Sequence, residues 1–518
     1  MRLRLDRRAF VEGSIRLSTL ALVGCRAIGH QGAGLKDTAA GPSPSVRRAL
    51  TSSAAEDDVK LYKKAVALLK ASGVWQAQAT IHGNFCTHGN WFFLPWHRCY
   101  LVYFEQICRH ALRQAGESDT FSLPYWNWPD TGRKIPEIAW GDGNPLFDST
   151  RSMGPNDTFA DAACGEGTLT SIAAIKNFLD FGGGRAGGQK EWGGSGQLEG
   201  SPHNTVHTAT GGDMSAFMSP LDPLFWLHHA NVDRLWATWQ AQNPGIIPSY
   251  PNDQDSAAQG SKGVLLDTNF WLDFALDGFE DINGKRFTQR VKDCLDPMRM
   301  VTPYTYDTLA PKHDLRDVNP ATDASHKPYS LLGPVAPKPS LGLSGPGTVK
   351  GVLRDRIYIE SKDTGLVIKV DQTTKIISAN ISFSPEIRRC IASLSDKPSF
   401  AGSLTLLVEK IPVPVDDLVH RIALDFYANH PDLTTETDAS DPQFLSSYSF
   451  FTHSHPGAPR TISIRISLNQ PFLRMRAAKV EPQKALLLQI LVKDRLLQTL
   501  PNLDFFSSVH FRLCYTET

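Results

Sequence analysis

The sequence lacks the features of several large classes of protein. Lys and Arg together number 53, as do Asp and Glu, so the net charge does not favour nucleic acid or an anionic membrane as a partner. Beyond the N-terminal segment, no apolar run is long enough to cross a bilayer. Eight cysteines in 518 residues are too few for a disulfide scaffold. The chain therefore has an ordinary globular composition and a length that predicts more than one domain.

The first residues resemble a targeting segment and are excluded from the fold. Arg7 and Arg8 are adjacent, and a moderately apolar stretch follows from Leu17 to Gly24. This pattern resembles a twin-arginine export signal, which carries folded proteins across a membrane. We expect residues 1–30 to be such a signal, and the protein to be periplasmic or secreted. The alternative is a chance arginine pair on a cytoplasmic protein.

The rest of the chain divides into three stretches of different composition. Residues 45–310 are rich in Trp, Phe and His and carry helical patterns, whereas residues 311–347 are punctuated by proline and read as a linker. Short β-rich runs dominate residues 348–518. We therefore expect a mainly α domain over 45–310, followed by a smaller, all-β, sandwich-like C-terminal domain.

Apolar spacing places the main helices of the first domain. Apolar residues recur at three- and four-residue intervals over 54–71, 96–112 and 221–240, which predicts three amphipathic helices. The glycine-rich stretch 181–200 predicts a loop.

Alternation of apolar and polar residues places the strands of the C-terminal domain. It is plainest over 461–466, where each second residue is isoleucine, the signature of a half-buried strand. The predicted strands are 357–359, 366–370, 404–408, 462–468 and 486–492. A small β-sandwich is the arrangement that such short strands favour.

One cluster of histidines has the spacing of a metal site. His203 and His207 are four residues apart, so on a helix both rings project from one face. A third imidazole from His228 or His229, on a later helix, would complete a three-nitrogen site. Imidazole suits copper, and three ligands leave a position open for chemistry.

A second set of histidines, His82, His88 and His97, precedes it in the chain. A single histidine is usually a surface or core residue, but two triplets in aromatic surroundings are hard to explain as packing, since buried imidazoles need partners. Neither set has a carboxylate at helical spacing, as an iron centre would. A structural zinc site would not need two open three-histidine sets.

The motifs around these histidines resemble those of type-3 copper proteins, the family of tyrosinases, catechol oxidases and molluscan haemocyanins. The matching segments are Trp96-His97-Arg98, Pro202-His203-Asn204-x-x-His207 and Asp222-Pro-x-Phe-Trp-x-His228-His229-x-x-Val-Asp233-Arg234. The resemblance covers residues 45–310. It implies a four-helix bundle with two copper ions in its core.

The resemblance also implies which histidines bind the metals. It assigns three to each copper: His82, His88 and His97 to the first, and His203, His207 and His229 to the second. His228 would then be a neighbour of the second site rather than a ligand. Cys86 stands two residues before His88, the spacing of a Cys–His thioether in fungal members of the family, and a plain buried thiol is the alternative.

The activity implied is that of a tyrosinase, which uses O2 to hydroxylate monophenols at the ortho position and to oxidise ortho-diphenols to ortho-quinones, as in melanin formation. The expected partners are O2 and phenolic small molecules, and the oligomeric state stays open. The alternatives are a catechol or aminophenol oxidase without hydroxylase activity, and an oxygen-binding protein similar to haemocyanin.

Four residues are candidates for controlling the phenol. By resemblance, Asn204 and Glu199 would together hold a water that takes the phenol proton; alternatively, Glu199 only solvates the glycine-rich loop. Ala216 stands where plant catechol oxidases often carry a bulky gate, so its small side chain leaves room over the second copper. Thr208 would border the entrance.

The C-terminal domain loosely resembles the extension of fungal and plant enzymes, in which an apolar residue plugs the copper pocket until proteolysis. Phe450 and Phe451 are the candidates for this plug, and the domain would then be a lid over the active site. The alternative places both rings in the core of the sandwich, as is usual for aromatic residues.

Overall fold

The computed structural model describes most of the chain beyond the N-terminal segment. The described residues are 44–244, 266–309, 354–360, 368–394, 402–413, 422–437, 440–451, 461–494, 503 and 508–517. The predicted export signal (1–30) and linker (311–347) lie outside these residues, so the proposed domain boundaries remain predictions. Below, the helical domain means the described residues up to 309, and the β domain those from 354 onward. No helix in these ranges has the length and apolarity needed to cross a membrane.

The helical domain contains the helices that the apolar spacing predicted, and several shorter ones. The α-helices are α1 (Glu56–Ser72), α2 (Val74–Phe85), α3 (Phe93–Gln114), α4 (Asp161–Cys164), α5 (Glu166–Ala173), α6 (Phe178–Gly182), α7 (Asn204–Thr210), α8 (Leu224–Gln242) and α9 (Thr268–Asp273). The predicted helices correspond to α1, α3 and α8. Helix α2, which sequence reasoning missed, packs against α1.

The predicted loop 181–200 is irregular through its middle but regular at both ends. Helix α6 occupies its start, and a kinked turn, Glu199–His203, in which Ser201 has extended backbone, leads directly into α7. Short 3-10 turns complete the domain at Ser53–Ala55, Pro129–Thr131, Glu137–Ala139, Gly212–Ser215, Ser219–Leu221, Val291–Cys294 and Pro297–Arg299.

Helix α1 shows how local sequence fixes the helix ends. Glu56, Asp57 and Asp58 occupy its first turn, where carboxylates interact favourably with the helix dipole. Gly73 ends it in the left-handed region, at φ +79°, which a residue with a Cβ rarely adopts. The buried face of α1 packs against α3, and α3 also packs against α8, so these helices form the core of the bundle.

A buried ion network joins the bundle to the two ends of the helical domain. Asp233 on α8 lies 2.6 Å from the Arg98 side chain on α3 and 3.4 Å from that of Arg47. Tyr304 and Tyr306 donate their hydroxyls to the same carboxylate at 2.5 and 2.6 Å. The buried acid therefore has the paired cations that make its burial tolerable.

Four short strands belong to the helical domain. They are β1 (Ser45–Arg47), β2 (Ala275–Glu280), β3 (Arg286–Arg290) and β4 (Tyr304–Tyr306). Strand β1 pairs in parallel with β4, and β2 with β3 as a hairpin. A disulfide between Cys99 on α3 and Cys294, whose Cα atoms are 6.2 Å apart, ties the segment after the hairpin to the bundle. Sequence reasoning left the pairing of these cysteines open.

The β domain is a two-sheet sandwich, as the alternating pattern predicted. Its strands are β5 (Arg354–Glu360), β6 (Ile368–Asp371), β7 (Ile376–Ser382), β8 (Ser403–Pro412), β9 (Ile422–Ala428), β10 (Phe444–Ser449), β11 (Thr461–Ser467), β12 (Ala485–Asp494) and β13 (His510–Glu517). One sheet has the order β10-β9-β12-β7-β6 and the other β11-β8-β13-β5. Helices α10 (Pro385–Ser393) and α11 (Asn469–Ala477) accompany the sheets.

Several polar groups join the β domain to the helical domain. The buried carboxylate of Asp180 on α6 accepts hydrogen bonds from Thr405 and, at 2.8 Å, from the Arg465 guanidinium. Gln197 donates to the hydroxyl of Ser446 at 3.3 Å. Such a polar contact resembles interfaces between proteins that associate reversibly more than it resembles a shared core.

Candidate metal centre

The histidines of interest lie on the bundle helices or at their ends. His82 is on α2, His88 follows it, and His97 is on α3, whereas His203 and His207 frame α7 and His228 and His229 are on α8. Among the described residues, the side-chain groups able to hold a metal are His82 with His88 and His97, and His203 with His207, His228 and His229. Within each group the ligand atoms lie within 4.8 Å of one another. The fold thus brings the predicted residues together.

In the second group three Nε2 atoms converge. The Nε2 of His229 lies 3.3 Å from that of His203 and 3.1 Å from that of His207. The His228 ring lies 4.6 Å from that of His207 and 5.3 Å from that of Trp128. All four histidines are buried.

The two groups face each other across the bundle core. The rings of His97 and His229 stack at 4.4 Å with an interplanar angle of 10°, and those of His88 and His203 lie 5.6 Å apart. Within the first group, the ring of His82 lies 5.6 Å from that of His97. The two potential metal positions are therefore adjacent, and one small molecule can reach both.

Hydrogen bonds fix the direction in which four of the rings present their lone pairs. The Nδ1 atoms of His82 and His97 donate to the backbone carbonyls of Phe217 (2.7 Å) and Phe93 (2.9 Å). A carbonyl only accepts, so each Nδ1 carries the proton and each Nε2 keeps its lone pair. Such outer contacts are the usual means of orienting metal-binding histidines.

The second group is held in the same way, and its arrangement suits a cation. His207 donates from Nδ1 to the carbonyl of Met214 at 2.7 Å, and His203 to Oδ1 of Asn204 at 2.9 Å. Their Nε2 lone pairs therefore both point at His229 Nε2, a repulsive arrangement of nitrogen atoms that a bound cation relieves. Neutral imidazoles without a nearby carboxylate are the donor set that copper accepts.

Burial keeps these imidazoles in the neutral form that metal binding requires. It lowers the pKa of His97 and of His207 to about 3. Burial, together with the neighbouring histidines, places the pKa of His203, His228 and His229 well below the usual value. A metal entering the site therefore does not have to displace ring protons at neutral pH.

A short loop serves both groups and was not recognised from the sequence. Residues 214–217 supply the Met214 carbonyl to His207 and the Phe217 carbonyl to His82. Ala216, the predicted gate position, lies between them and is half-buried. Backbone carbonyls have no sequence signature, so only the candidate gate drew attention to this loop.

The two residues predicted to hold a water lie beside the second group. Glu199 is 1% exposed, and its Oε1 accepts the backbone N–H of Gly89 at 2.6 Å. Burial raises the pKa of Glu199 to about 8. The Asn204 amide accepts from His203 through Oδ1 and donates through Nδ2 to the backbone carbonyl of Ser449, at 3.0 Å. The carboxylate is thus buried in the protein rather than solvating the loop.

Thr208 and Cys86 are both buried next to ligand positions. The hydroxyl of Thr208 donates back to the carbonyl of Asn204 at 2.9 Å, within α7, and its place at the entrance stays a prediction. The Cys86 thiol lies at the end of α2, and burial raises its pKa to about 12. The thioether with His88 stays a prediction.

The two phenylalanines proposed as a plug have different surroundings. The Phe451 ring stacks on His207 at 4.4 Å and lies 5.3 Å from His88 and 5.7 Å from His203, so it touches both histidine groups. Phe450 belongs instead to the core of the β domain, where it packs against Tyr448. Of the two candidates, the structure places only Phe451 on the metal centre.

Comparison with known proteins matches the central part of the helical domain to a family. The family model of the common central domain of tyrosinase matches residues 62–175 and 165–242, which contain every histidine of both groups. A tyrosinase of Hahella sp. (strain CCB-MM4) is 36% identical over 255 residues, 43% of this chain and 48% of that protein. A chloroplastic polyphenol oxidase of Malus domestica is 30% identical over 285 residues, 45% of this chain and 44% of that protein. The matched part thus spans less than half the length of these curated relatives.

Solved structures with the same fold extend over both domains. A latent apple tyrosinase covers 92% of this chain and 97% of its own, with a TM-score of 0.57 and 21% identity. A latent aurone synthase covers 92% and 89%, with a TM-score of 0.59 and 19% identity. At these identities the likeness shows the fold alone, a helical domain followed by a β domain.

Residues 62–242 thus carry the tyrosinase central domain of the type-3 copper proteins, and both histidine groups lie within it as its copper-binding clusters. Within the family, the relatives that match it are tyrosinases and polyphenol oxidases. The predicted family, fold class and pair of copper ions are therefore confirmed.

Proposed function

We propose that the protein is a tyrosinase, a dicopper oxidoreductase that converts a monophenol and O2 to an ortho-quinone and water, and oxidises ortho-diphenols to the same quinones. The observation that carries the proposal is the pair of facing imidazole groups, with Nε2 lone pairs aimed at two adjacent positions. A bound copper pair supplies the redox chemistry with O2, and the protein supplies orientation, a closed aromatic pocket and proton transfer.

We propose His82, His88 and His97 as ligands of the first copper, with His203, His207 and His229 as ligands of the second. His229 is preferred to His228 because its Nε2 approaches those of His203 and His207, and because its ring stacks on His97 of the first group.

Glu199 and Asn204 are the proposed agents of phenol deprotonation. A phenol must lose its proton before it can bind a metal as phenolate, and the imidazoles next to the pocket use their Nδ1 protons in other hydrogen bonds. Glu199 is a buried carboxylic acid four residues before His203, and its Oε1 is held by the backbone N–H of Gly89. Burial raises the pKa of Glu199 to about 8, so the carboxylate form, which can draw a proton through a water held with Asn204, grows as pH rises toward 8.

The enzyme is proposed to be latent, with the β domain as its lid. Phe451 occupies the pocket between the two histidine groups, where a substrate ring would lie. The polar groups around Asp180 can exchange their contacts for water when the lid moves away. Two solved proteins of the same fold are themselves described as latent forms.

The experiment that tests the proposal uses the purified full-length protein loaded with copper. Metal analysis should find two coppers per chain, and cleavage within the predicted linker 311–347 should raise turnover of tyrosine and of its ortho-diphenol. Equal turnover before and after cleavage would contradict latency, and fewer than two coppers would contradict the dicopper centre.

A catechol oxidase is the second candidate, because catechol oxidase B of Solanum tuberosum is also 30% identical over 267 residues. The small side chain at Ala216 and the buried Glu199 favour hydroxylation. Assays of the cleaved protein with tyrosine and with its ortho-diphenol separate the two functions: oxidation of the diphenol alone would establish the oxidase.

Two further features of the chain are proposed alongside this function. A Cys86–His88 thioether would lower the mass of a proteolytic peptide by two hydrogens in mass spectrometry. Export through the Arg7-Arg8 signal is supported by the disulfide, since disulfides persist in oxidising compartments. A reporter fused to residues 1–43 should be exported, and should be retained when both arginines are replaced by lysine.

A further inference from the structure

The end of strand β10 contacts the helical domain at more than one point. Phe451 lies on the histidine groups, whereas Ser449 contacts Asn204, the residue after His203. The Ser449 carbonyl accepts the amide N–H of Asn204 at 3.0 Å, and its hydroxyl is 3.0 Å from that of Thr205. The segment 448–451 therefore touches the residues proposed for deprotonation as well as the copper ligands.

Tyr448 is buried against the loop that carries Glu199. Its side chain is 1% exposed, and its ring lies so close to Gly200 that a Cβ there would come within 2.8 Å of it. Burial and the negative charge of Glu199 raise the pKa of Tyr448 above its usual range, while the Ser195 and Asn204 side chains act in the opposite direction. The phenolic hydroxyl is thus a common neighbour of Glu199, Ser195 and Asn204.

Two polar groups around this hydroxyl are not fully satisfied by protein. The Oε2 of Glu199 and the Oγ of Ser195 are buried, have no hydrogen-bond partner in good geometry, and lie close enough to each other to interact. Buried groups of this kind, gathered in one place, are typical of a site built to hold a polar ligand such as water. In the docked arrangement, the Tyr448 side chain occupies that place.

We propose that segment 448–451 closes the enzyme at two separate points: Phe451 blocks the ring of the substrate, and Tyr448 with Ser449 occupies the Glu199–Asn204 pair that deprotonates a phenol. The inference rests on the proposed function. Removal of the Phe451 contact alone then restores oxidation of a catechol. Hydroxylation of a monophenol also depends on the Glu199–Asn204 pair, so it needs both contacts removed.

The test uses full-length, copper-loaded protein and compares it with the same protein cleaved in the linker. In F451A, catechol turnover and the Kd for benzoate, a ring of substrate size, should approach those of the cleaved protein. The ratio of monophenol to catechol kcat/KM should stay roughly ten-fold below that of the cleaved protein, since proton transfer commonly contributes a hundred-fold or more. Adding Tyr448→Phe should raise this ratio several-fold.

Tyr427 offers a matched control. It is a fully buried tyrosine on the neighbouring strand β9, and its hydroxyl donates to the carbonyl of Thr437 at 2.9 Å, within the β domain. Combined with F451A, Tyr427→Phe should leave the ratio unchanged, and unfolding midpoints of both double variants show whether either loses stability.

The outcomes separate the inference from the function on which it rests. The inference is overturned if F451A already shows the ratio of the cleaved protein, or if Tyr448→Phe and Tyr427→Phe change it equally. Cleaved protein that turns over neither phenol nor catechol contradicts the proposed function itself.

Discussion

The interior of the helical domain and its contact with the β domain are built on different principles. In the interior, aromatic rings and a buried ion network around Asp233 hold the helices that carry the histidines. At the contact, hydroxyls, a carboxylate and a guanidinium meet around Asp180, and Phe451 inserts a single ring into the copper pocket. The interior of the helical domain therefore sets the geometry of the site, whereas the contact with the β domain controls whether a substrate can reach it. Damage to the first should lower activity, and damage to the second should raise it.

The largest effect is expected for loss of a ligand in the interior. His229→Ala should reduce copper from two to about one per chain. It should also lower catechol oxidation by the cleaved protein at least a hundred-fold, because replacing even a residue that only hydrogen-bonds to a metal ligand lowers metal affinity or activity about ten- to a hundred-fold. The matched variant His228→Ala should keep both coppers. Metal analysis after cleavage and dialysis decides the matter, and the reverse pattern would make His228 the ligand.

Removal of the buried acid should destabilise the helical domain most. Asp233→Ala leaves Arg98 and Arg47 buried without their common carboxylate, which should cost about 3–5 kcal/mol of unfolding free energy. Chemical denaturation followed by tryptophan fluorescence measures the loss. A change below about 1 kcal/mol would show that the network is not coupled to folding.

The buried carboxylate beside the site should make the closed protein less stable as pH rises. The folded chain keeps the Glu199 proton up to pH about 8, whereas the unfolded chain releases it near the ordinary value of 4.5. This contribution is therefore fully present below pH 4.5 and is lost between 4.5 and 8. Relative to Glu199→Gln, the wild type should lose on the order of a few kcal/mol over this range, since one pKa unit corresponds to about 1.4 kcal/mol. Parallel pH profiles of the two proteins would contradict it.

The smallest effect on stability is expected at the contact between the domains. Asp180→Asn weakens the ion pair with Arg465 and should cost only about 1 kcal/mol of docking, because the interface keeps its other hydrogen bonds. Activity of the uncleaved protein should nevertheless rise several-fold, as the lid opens more often. The exposed pair of Lys60 and Asp57 is the control, since Asp57→Asn should alter neither quantity. A fall in activity would reverse the assignment of this region.

Sequence reasoning recovered what periodicity and motif spacing encode. Helices α1, α3 and α8 follow from apolar spacing, and the histidine groups from their aromatic surroundings and the family motifs. Helix α2 escaped because its buried stripe, Trp75, Gln78, Ala79 and His82, includes two polar residues and so is not visible as apolar spacing.

The other features that the sequence did not predict depend on contacts between distant parts of the chain. The carbonyls of Met214 and Phe217 carry no side-chain signal. Nothing in the local sequence indicates that Phe451 contacts the histidine groups while Phe450 packs in the core of the sandwich. Adjacent residues of an extended segment face opposite ways, so the side chains of Phe450 and Phe451 have different surroundings. Only the docking of the β domain decides which.

The loop 214–217 couples the two copper sites through the backbone, with one carbonyl fastened to a histidine of each. Peptide oxygens are present whatever residue stands at 216, so side chains there can be exchanged during evolution, or by design, while the ligand geometry is preserved. Substitutions at residue 216 can therefore change substrate preference without changing the spacing of the metals.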